Sequence, residues 1–253
     1  MLDPSLLYLA PVVFIAGFID AIAGGGGLLT LPSYLIAGVP PVFALGTNKF
    51  VSTAGTIVST GKYIFHKRML WPVVWVGLPC SLIGSVLGAH TVALLKPEII
   101  RTVILVALPV AAALTLMPKP KGHKEEILHW RSPRLWVAVP LISLALGWYD
   151  GFFGPGTGTL LMLALYGIGQ LSFLHSAATA RFFNLVSNAG ALVTFLFYKK
   201  VVFSLALPLS LASIAGHYIG SHLAIKKGAG LVRGMLMASC TILFAYLLWE
   251  QLR

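Results

Sequence analysis

Long apolar stretches follow one another along almost the whole chain, with few polar interruptions. A helix needs about 20 mainly apolar residues to cross the roughly 30 Å hydrocarbon core of a bilayer. Eight stretches have that length: residues 5–23, 43–65, 70–95, 98–117, 134–150, 173–198, 201–225 and 229–250. Two further apolar runs, residues 27–38 and 157–168, are about half as long, and each follows a glycine-rich stretch. The pattern predicts an all-α polytopic membrane protein with eight full-length and two short membrane segments.

Composition excludes the other broad classes. Of the 253 residues, 58% are hydrophobic and only 10% are charged, whereas soluble domains contain about 25% charged residues. The net charge of +11 resembles that of a nucleic-acid-binding protein, but the 18 basic residues cluster between the apolar stretches. That distribution is typical of cytoplasmic loops in membrane proteins. We therefore expect a lipid bilayer and no nucleic acid as the surroundings, and a multi-pass protein of the cell membrane.

Polar residues repeat in register between the two halves of the chain. An offset of 130 residues aligns Asp20 with Asp150, together with the glycines that follow each acid. An offset of 132 aligns further polar residues: Thr47 with Thr179, Lys49 with Arg181, Ser81 with Ser213, and His90 with His222. Matched acids, histidines and cations rarely arise by chance in apolar sequence. We interpret the pattern as a duplication.

The duplication predicts two repeats, residues 1–117 and 134–253, joined by a basic cytoplasmic linker at residues 118–133. Duplicated halves are common in secondary transporters, in inverted or parallel orientation. Five crossings per half give inverted repeats, and four give parallel repeats. Because no Lys or Arg precedes Lys49, an outside N-terminus and the inverted arrangement are favoured.

The glycine-rich stretches are the first candidate site. Asp20 precedes four consecutive glycines, and Asp150 precedes a stretch that contains Pro155. Broken helices at membrane depth expose free N–H groups, which attract anions. The alternative is a tight turn at the membrane surface, but two matched copies favour broken helices. The candidate binding residues here are Gly25, Gly26, Gly27, Gly156, Thr157 and Gly158.

A polar stripe on the next helix is the second candidate site. Lys49, Ser52 and Thr56 lie at i, i+3 and i+7, which is one helix face. The same face in the other repeat carries Arg181, Asn184 and Asn188, and Asn48 adjoins the first stripe. A cation in lipid needs a partner or a watery cavity, so the two stripes predict a site for a small oxyanion.

Other interpretations of these residues stay open. Lys49 lies near the start of its segment and is able to snorkel to the interface. Asp20 and Asp150 are expected to pair with the cations or cap the broken helices, which we favour over proton relay. His90 and His222 are expected to form interhelical hydrogen bonds, not a metal site, and His217 shows no pattern beyond packing.

Several stretches resemble the sulfite exporter TauE/SafE family. In the first half they are Asp20-Ala-Ile-Ala-Gly-Gly-Gly-Gly-Leu-Leu-Thr-Leu-Pro, Gly38-Val-Pro-Pro and Ala44-Leu-Gly-Thr-Asn-Lys49. In the second half they are Asp150-Gly-Phe-Phe-Gly-Pro-Gly-Thr-Gly and Thr179-Ala-Arg181, so the resemblance spans the whole chain. It implies a bacterial inner-membrane permease for sulfite, sulfoacetate, thiosulfate or other sulfur-containing anions. Both exporters and uptake systems are attributed to the family, so the direction of transport stays open.

The leading hypothesis is a secondary transporter of small sulfur oxyanions, with proton coupling as an option. The chain has no nucleotide-binding loop and no nucleophile or zinc motif, so we expect neither catalysis nor a cofactor. An intramembrane enzyme that acts on a lipid phosphate and a non-transporting scaffold are the alternatives. A homo-oligomer is compatible with the sequence.

Overall fold

The computed structural model describes residues 4–65, 69–116 and 134–227. Over these ranges the chain forms α-helices and no strand. The first five are α1 (Leu6–Ala23), α2 (Gly27–Ile36), α3 (Pro41–Phe65), α4 (Trp71–Ala93) and α5 (Pro97–Leu116). A π-helical turn, Arg134–Ala138, leads into α6 (Val139–Phe152), α7 (Thr157–Gly167), α8 (Phe173–Phe197) and α9 (Phe203–Lys227). The predicted linker at 118–133 and the last predicted segment at 229–250 lie outside the described residues.

Helix lengths follow the apolar pattern of the sequence, but the predicted count of eight full-length membrane segments is confirmed only in part. Among the described residues, four helices are long and apolar enough to cross a membrane: Trp71–Ala93, Leu135–Phe152, His175–Phe197 and Phe203–Ala224. The two runs that follow the glycine-rich stretches form short helices of 10 and 11 residues, α2 and α7. Each is about 15–17 Å long, roughly half of the hydrocarbon core.

The helices of one half pack mainly against helices of the other half. Helix α1 packs along α9, and its counterpart α6 packs along α4. Helix α3 contacts α9, its counterpart α8 contacts α4, and α3 and α8 meet at the centre. Each of these helix–helix contacts therefore has a counterpart in which the two halves have exchanged places.

Glycines permit the two longest contacts. On α4, a Cβ at Gly84 or Gly88 would collide with the backbone carbonyl of Leu144 or Trp148 on α6. On α9, Gly216 and Gly220 lie in the same way against the backbone of α1. Small residues four apart allow helix backbones to approach closely, which is the main source of packing between helices in lipid.

The central helices carry polar side chains inside, whereas the outer helices are apolar outside. The buried polar residues of α3 and α8 include Asn48, Lys49, Arg181, Asn184 and Asn188. Large apolar side chains on the periphery are exposed: Trp75 is 64% exposed and Leu211 is 71% exposed. This arrangement, polar within and apolar without, places the candidate site at the centre of the helix assembly.

Candidate functional site

The two glycine-rich turns lie directly against each other. Thr159 at the start of α7 donates a hydrogen bond from Oγ1 to the carbonyl of Gly24, at 3.2 Å. Gly24 has φ +75°, and a Cβ there would lie 2.5 Å from the backbone nitrogen of Thr159. A Cβ at Gly27 would lie 3.2 Å from Cα of Pro155. Only glycine fits at position 24, because a side chain would be strained in φ and would also push the two turns apart.

Asp20 binds the N-terminal turn of α2 with its own carboxylate. Its Oδ1 accepts hydrogen bonds from the N–H groups of Gly25, at 2.8 Å, and Gly26, at 2.9 Å. Its Oδ2 lies 3.2 Å from Nε2 of His217 and 3.4 Å from a guanidinium nitrogen of Arg181. A carboxylate of the protein thus already holds the anion position at this helix end.

Asp150 occupies the matching place in the second half but binds different groups. Its Oδ1 lies 2.9 Å from Nζ of Lys49, and its Oδ2 accepts a hydrogen bond from Ser187 at 2.6 Å. The sequence explains the difference, because Pro155 stands where the first half has Gly25 and has no N–H to donate. Within the described residues, Asp150 binds Lys49 and Ser187 and accepts no hydrogen bond from the backbone at the start of α7, unlike Asp20 at the start of α2.

The two ion pairs cross between the halves. Lys49 from the first half pairs with Asp150 from the second, and Arg181 from the second pairs with Asp20 from the first. The Lys49 and Asp150 side chains are each 2% exposed, whereas Arg181 is 6% and Asp20 is 15% exposed. The two buried cations and the two carboxylates balance, so these four groups have no net charge. Pairing of this kind is what makes charges tolerable inside a membrane.

A small cavity opens between the two turns and the central helices. It is small, and about 20 Å³ of it is open to the centre of a water molecule. Its walls are formed mainly by polar groups and glycines: Asp20, Gly25, Gly27, Asn48, Lys49, Ser52, Asp150, Gly154, Gly156, Thr157, Gly158, Asn184 and Asn188. By this measure about 10–15 Å³ holds one water molecule, so the walls of the cavity must move apart to admit an oxyanion.

Two side chains in the cavity wall lack hydrogen-bond partners. The amide of Asn184 and the hydroxyl of Ser52 make no hydrogen bond to any residue that the structure describes, although Asn184 is only 5% exposed. The amide nitrogen of Asn188 is also without a partner in these ranges, while its oxygen accepts from Lys49 at 2.9 Å. These groups line the cavity, so their donors and acceptors are available to a small polar ligand.

Comparison with known proteins agrees with this architecture. The sequence profile described as sulfite exporter TauE/SafE matches residues 9–247. The chain belongs to the sulfite exporter TauE/SafE family. No solved structure matches it significantly.

Relatives of this TauE/SafE protein are named as transporters. It is 36% identical to the probable membrane transporter protein ORF9 of Sinorhizobium sp, over 92% of this chain and 88% of the relative. It is 33% identical to the probable membrane transporter protein YfcA of Escherichia coli K12, over 99% and 92%. A probable membrane transporter protein of Haemophilus influenzae is 34% identical over 95% and 93%. The protein is therefore a multi-pass bacterial membrane transporter and not an enzyme.

Most of the residues selected from the sequence lie together in this TauE/SafE protein, but three lie apart from the cavity wall. Gly26 gives its N–H to Asp20, and Arg181 is directed at the same acid. The hydroxyl of Thr56 donates back to the Ser52 carbonyl of its own helix at 2.8 Å. Lys49 does not snorkel, since it is 1% exposed and bound to Asp150. His90 forms the expected interhelical hydrogen bond, 2.7 Å from the hydroxyl of Tyr198.

His217 is the residue that the sequence interpretation missed. It was assigned to packing, yet its ring contacts Asp20 directly. The repeat could not identify it, because its counterpart at the same offset is Ser85, and the counterpart of Ser187 is Gly55. In the first half a histidine on α9 reaches the acid past a glycine on α3, whereas in the second half a serine on α8 does so. The sequence signal for this difference is that the first acid is served by Gly55 and His217, whereas the matching positions of the other half hold two serines, Ser187 and Ser85.

Proposed function

We propose that this transporter carries small sulfur-containing oxyanions, such as sulfite or an organosulfonate, and binds them in the cavity between the two turns. The observation that carries the proposal is that the glycine-rich turn before α7 and the amide of Asn184 line the same cavity. A helix N-terminus favours negative charge, and amide and hydroxyl donors complete the coordination of an oxyanion. The polar lining of the cavity and the family assignment support the sulfur oxyanion as substrate.

The two cations have different roles in this proposal. Among the described residues, Lys49 is the cation that pairs with Asp150, at 2.9 Å, and it provides a fixed positive charge beside the anion. Arg181 contacts Asp20 at 3.4 Å, which is long for a charged hydrogen bond. Asp20 keeps three other donors, from Gly25, Gly26 and His217, when this contact is lost. Arg181 is therefore the cation that turns from its carboxylate to the bound anion, and its planar fork of donors suits an oxyanion.

We further propose that the halves are inverted repeats and that the site opens alternately to each side. The contact of α1 with α9 has a counterpart in the contact of α6 with α4, and each ion pair has a counterpart in the other ion pair. Both correspondences support a two-fold relationship between the halves. Transporters built from such repeats bind the substrate where the repeats meet, at interrupted helices.

Transport by the purified protein in liposomes tests the proposed substrate. Labelled sulfite should exchange into vesicles loaded with unlabelled sulfite, and external sulfite, thiosulfate or sulfoacetate should compete whereas a cation should not. The variant Asn184→Ala should bind sulfite about 10-fold or more weakly, since it removes a hydrogen-bond donor to a charged group, which contributes about 1.5–3 kcal/mol.

Thr194→Val is the matched control for this experiment. It removes a buried polar group from the same helix, and the hydroxyl concerned bonds only to the Gly190 carbonyl, at 3.1 Å. This variant should exchange sulfite like the parent protein. Parental exchange by folded Asn184→Ala, or absence of exchange of any sulfur oxyanion by the parent, would contradict the proposed site or substrate respectively.

A further inference from the structure

His217 lies in a space between helices that accommodates its imidazole ring. The residue is 2% exposed and lies on α9, where a Cβ at Gly55 of α3 would collide with the ring. A Cβ at Gly17 of α1 would lie 2.8 Å from its Nδ1. Two neighbouring helices thus have glycine where they face the ring, which leaves space for one buried titratable group. Imidazole is the side chain that ordinarily titrates between pH 5 and 8.

Both ring nitrogens face groups that accept hydrogen bonds. Nε2 lies 3.2 Å from the Asp20 carboxylate, which only accepts. Nδ1 lies 2.9 Å from the carbonyl of Ser213 and 3.3 Å from the hydroxyl of the same residue. In the neutral ring, Nε2–H donates to Asp20 and Nδ1 accepts from the Ser213 hydroxyl. A second proton on Nδ1 finds the carbonyl already in place, so the ring changes charge without moving.

The charged groups around His217 leave it as the proton acceptor of this cluster. From α1 the ring faces Asp20, and from α8 it faces Arg181, which shares that acid. The remaining ionisable groups of the helices that pack here point elsewhere. Lys49 of α3 is bound to Asp150, Lys62 of α3 donates to the Tyr218 carbonyl, Tyr63 of α3 donates to the Ala21 carbonyl, and His222 is exposed on α9.

Charge balance then connects this histidine with the substrate, on the basis of the function proposed above. The four charged groups of the cluster sum to zero, so an anion of charge −1 adds one uncompensated buried charge. An uncompensated charge in a membrane interior is strongly unfavourable, and a protonated imidazole next to Asp20 removes it. The imidazolium also binds Asp20 more strongly, which releases Arg181 toward the anion. We propose that each bound monoanion is accompanied by one proton, which binds at Nδ1 of His217.

A second cavity supplies the space on the proton side of the cluster. About 10 Å³ of it is open to the centre of a water molecule, and it adjoins the substrate cavity at Asp20 and Ser52, which line both. His217 and Ser213 form part of its wall. The proton site therefore faces a cavity of its own, behind the carboxylate that separates it from the substrate.

Calorimetry on the parent protein in detergent measures the coupling directly. Methanesulfonate is the probe, because its charge stays at −1 throughout the pH range and only the protein takes up protons. Binding heats at pH 7.5 in two buffers of different ionisation enthalpy should give uptake that approaches one proton per anion. The Kd should rise with pH by up to about tenfold per pH unit, because each bound anion requires one proton.

Two variants assign the proton to His217. His217→Gln keeps an N–H for Asp20 but does not titrate, so its Kd should be independent of pH and proton uptake should vanish. Ser213→Ala removes the hydroxyl that stabilises the neutral ring, so the pH at which affinity begins to fall should move upward. His90→Gln removes a histidine that contacts Tyr198 instead, and should keep the parental pH dependence.

The outcomes separate this inference from the proposed function. Binding of methanesulfonate without proton uptake, or a parental pH slope in His217→Gln, overturns the inference and leaves the proposed function intact. If His217→Gln does not fold, an unchanged pH profile in Ser213→Ala overturns it in the same way. If the parent binds neither methanesulfonate nor sulfite at any pH, the proposed function fails and this inference fails with it.

Discussion

Replacement of Asp150 by asparagine isolates the charge that faces Lys49. Nζ of Lys49 lies 2.9 Å from Oδ1 of Asp150, and both side chains are 2% exposed. The amide oxygen of asparagine is able to accept from Lys49 in the same place. Ser187 can then turn its hydroxyl to the Asn184 carbonyl, which lies 3.1 Å away, and accept from the new amide. The variant Asp150→Asn thus preserves shape and hydrogen bonds and leaves a buried ammonium without its counter-charge.

The expected loss of stability follows from this geometry. Removing one partner of a buried ion pair destabilises a protein by about 3–5 kcal/mol, because the other charge stays buried. That corresponds to a decrease of roughly 100-fold or more in the ratio of folded to unfolded protein. The midpoint of thermal unfolding should fall by at least about 6 °C at the usual sensitivity of about 2–4 °C per kcal/mol for a chain of this size.

Thermal unfolding in detergent micelles, read by intrinsic fluorescence, measures this loss. A double variant, Lys49→Met with Asp150→Asn, has no uncompensated charge and should recover most of the stability. It should nevertheless fail to exchange sulfite, since the fixed positive charge beside the anion is gone. Glu98→Gln serves as the control, because Glu98 is an exposed acid at the start of α5 and its loss should change stability by about 0.5 kcal/mol at most.

Two results would refute the reasoning. An unfolding midpoint of Asp150→Asn equal to that of Glu98→Gln would mean that Lys49 is solvated or paired elsewhere in the membrane. Sulfite exchange by the double variant at the parental rate would mean that the ion pair is structural only.

Three further results are expected. Arg181→Lys keeps the charge but loses the fork of donors, so it should weaken sulfite binding more than it lowers the unfolding midpoint, whereas Arg181→Ala should abolish exchange; parental affinity in both folded variants would exclude Arg181 from the site. Gly24→Ala should destabilise by about 2–5 kcal/mol, from strain in φ plus collision with the opposite turn, whereas Gly38→Ala should lose only the roughly 1–2 kcal/mol of strain, because φ there is +78° but the space is open; equal unfolding midpoints would show that the turns do not touch. In a protein whose native cysteines are replaced by serine, a cysteine at Ser5 should react with a membrane-impermeant maleimide from outside the cell and one at Gly122 only from inside; labelling of both from the same side would rule out inverted repeats.

The sequence predicted the membrane class and the helix pattern because both depend on local composition. Apolar runs of about 20 residues specify helices in lipid, where every backbone polar group must be satisfied within the segment. The half-length helices α2 and α7 were also predictable, since four glycines in one half and Pro155 in the other interrupt helical structure.

The spacing of residues also selected most of the side chains in the cavity wall. Lys49 and Ser52 share one face of α3, and Asn184 and Asn188 share the matching face of α8. A helical period is a local property, so it determines which side chains point the same way. It does not determine where each side chain ends, and Thr56 on the same face bonds to its own backbone.

What the sequence alone determined about this protein is therefore the set of helices, the interruptions and the faces that bear polar groups. Tertiary structure decided the partners: Lys49 with Asp150 and Arg181 with Asp20 are each joined across the two halves. It also placed His217, 197 positions away in the chain, against Asp20. These pairings depend on which helices approach most closely, and that approach is set by glycines on α4 and α9 against the backbones of α6 and α1. Contacts of this kind are chosen by packing over the whole assembly, because charges buried in lipid must find partners wherever the fold brings them.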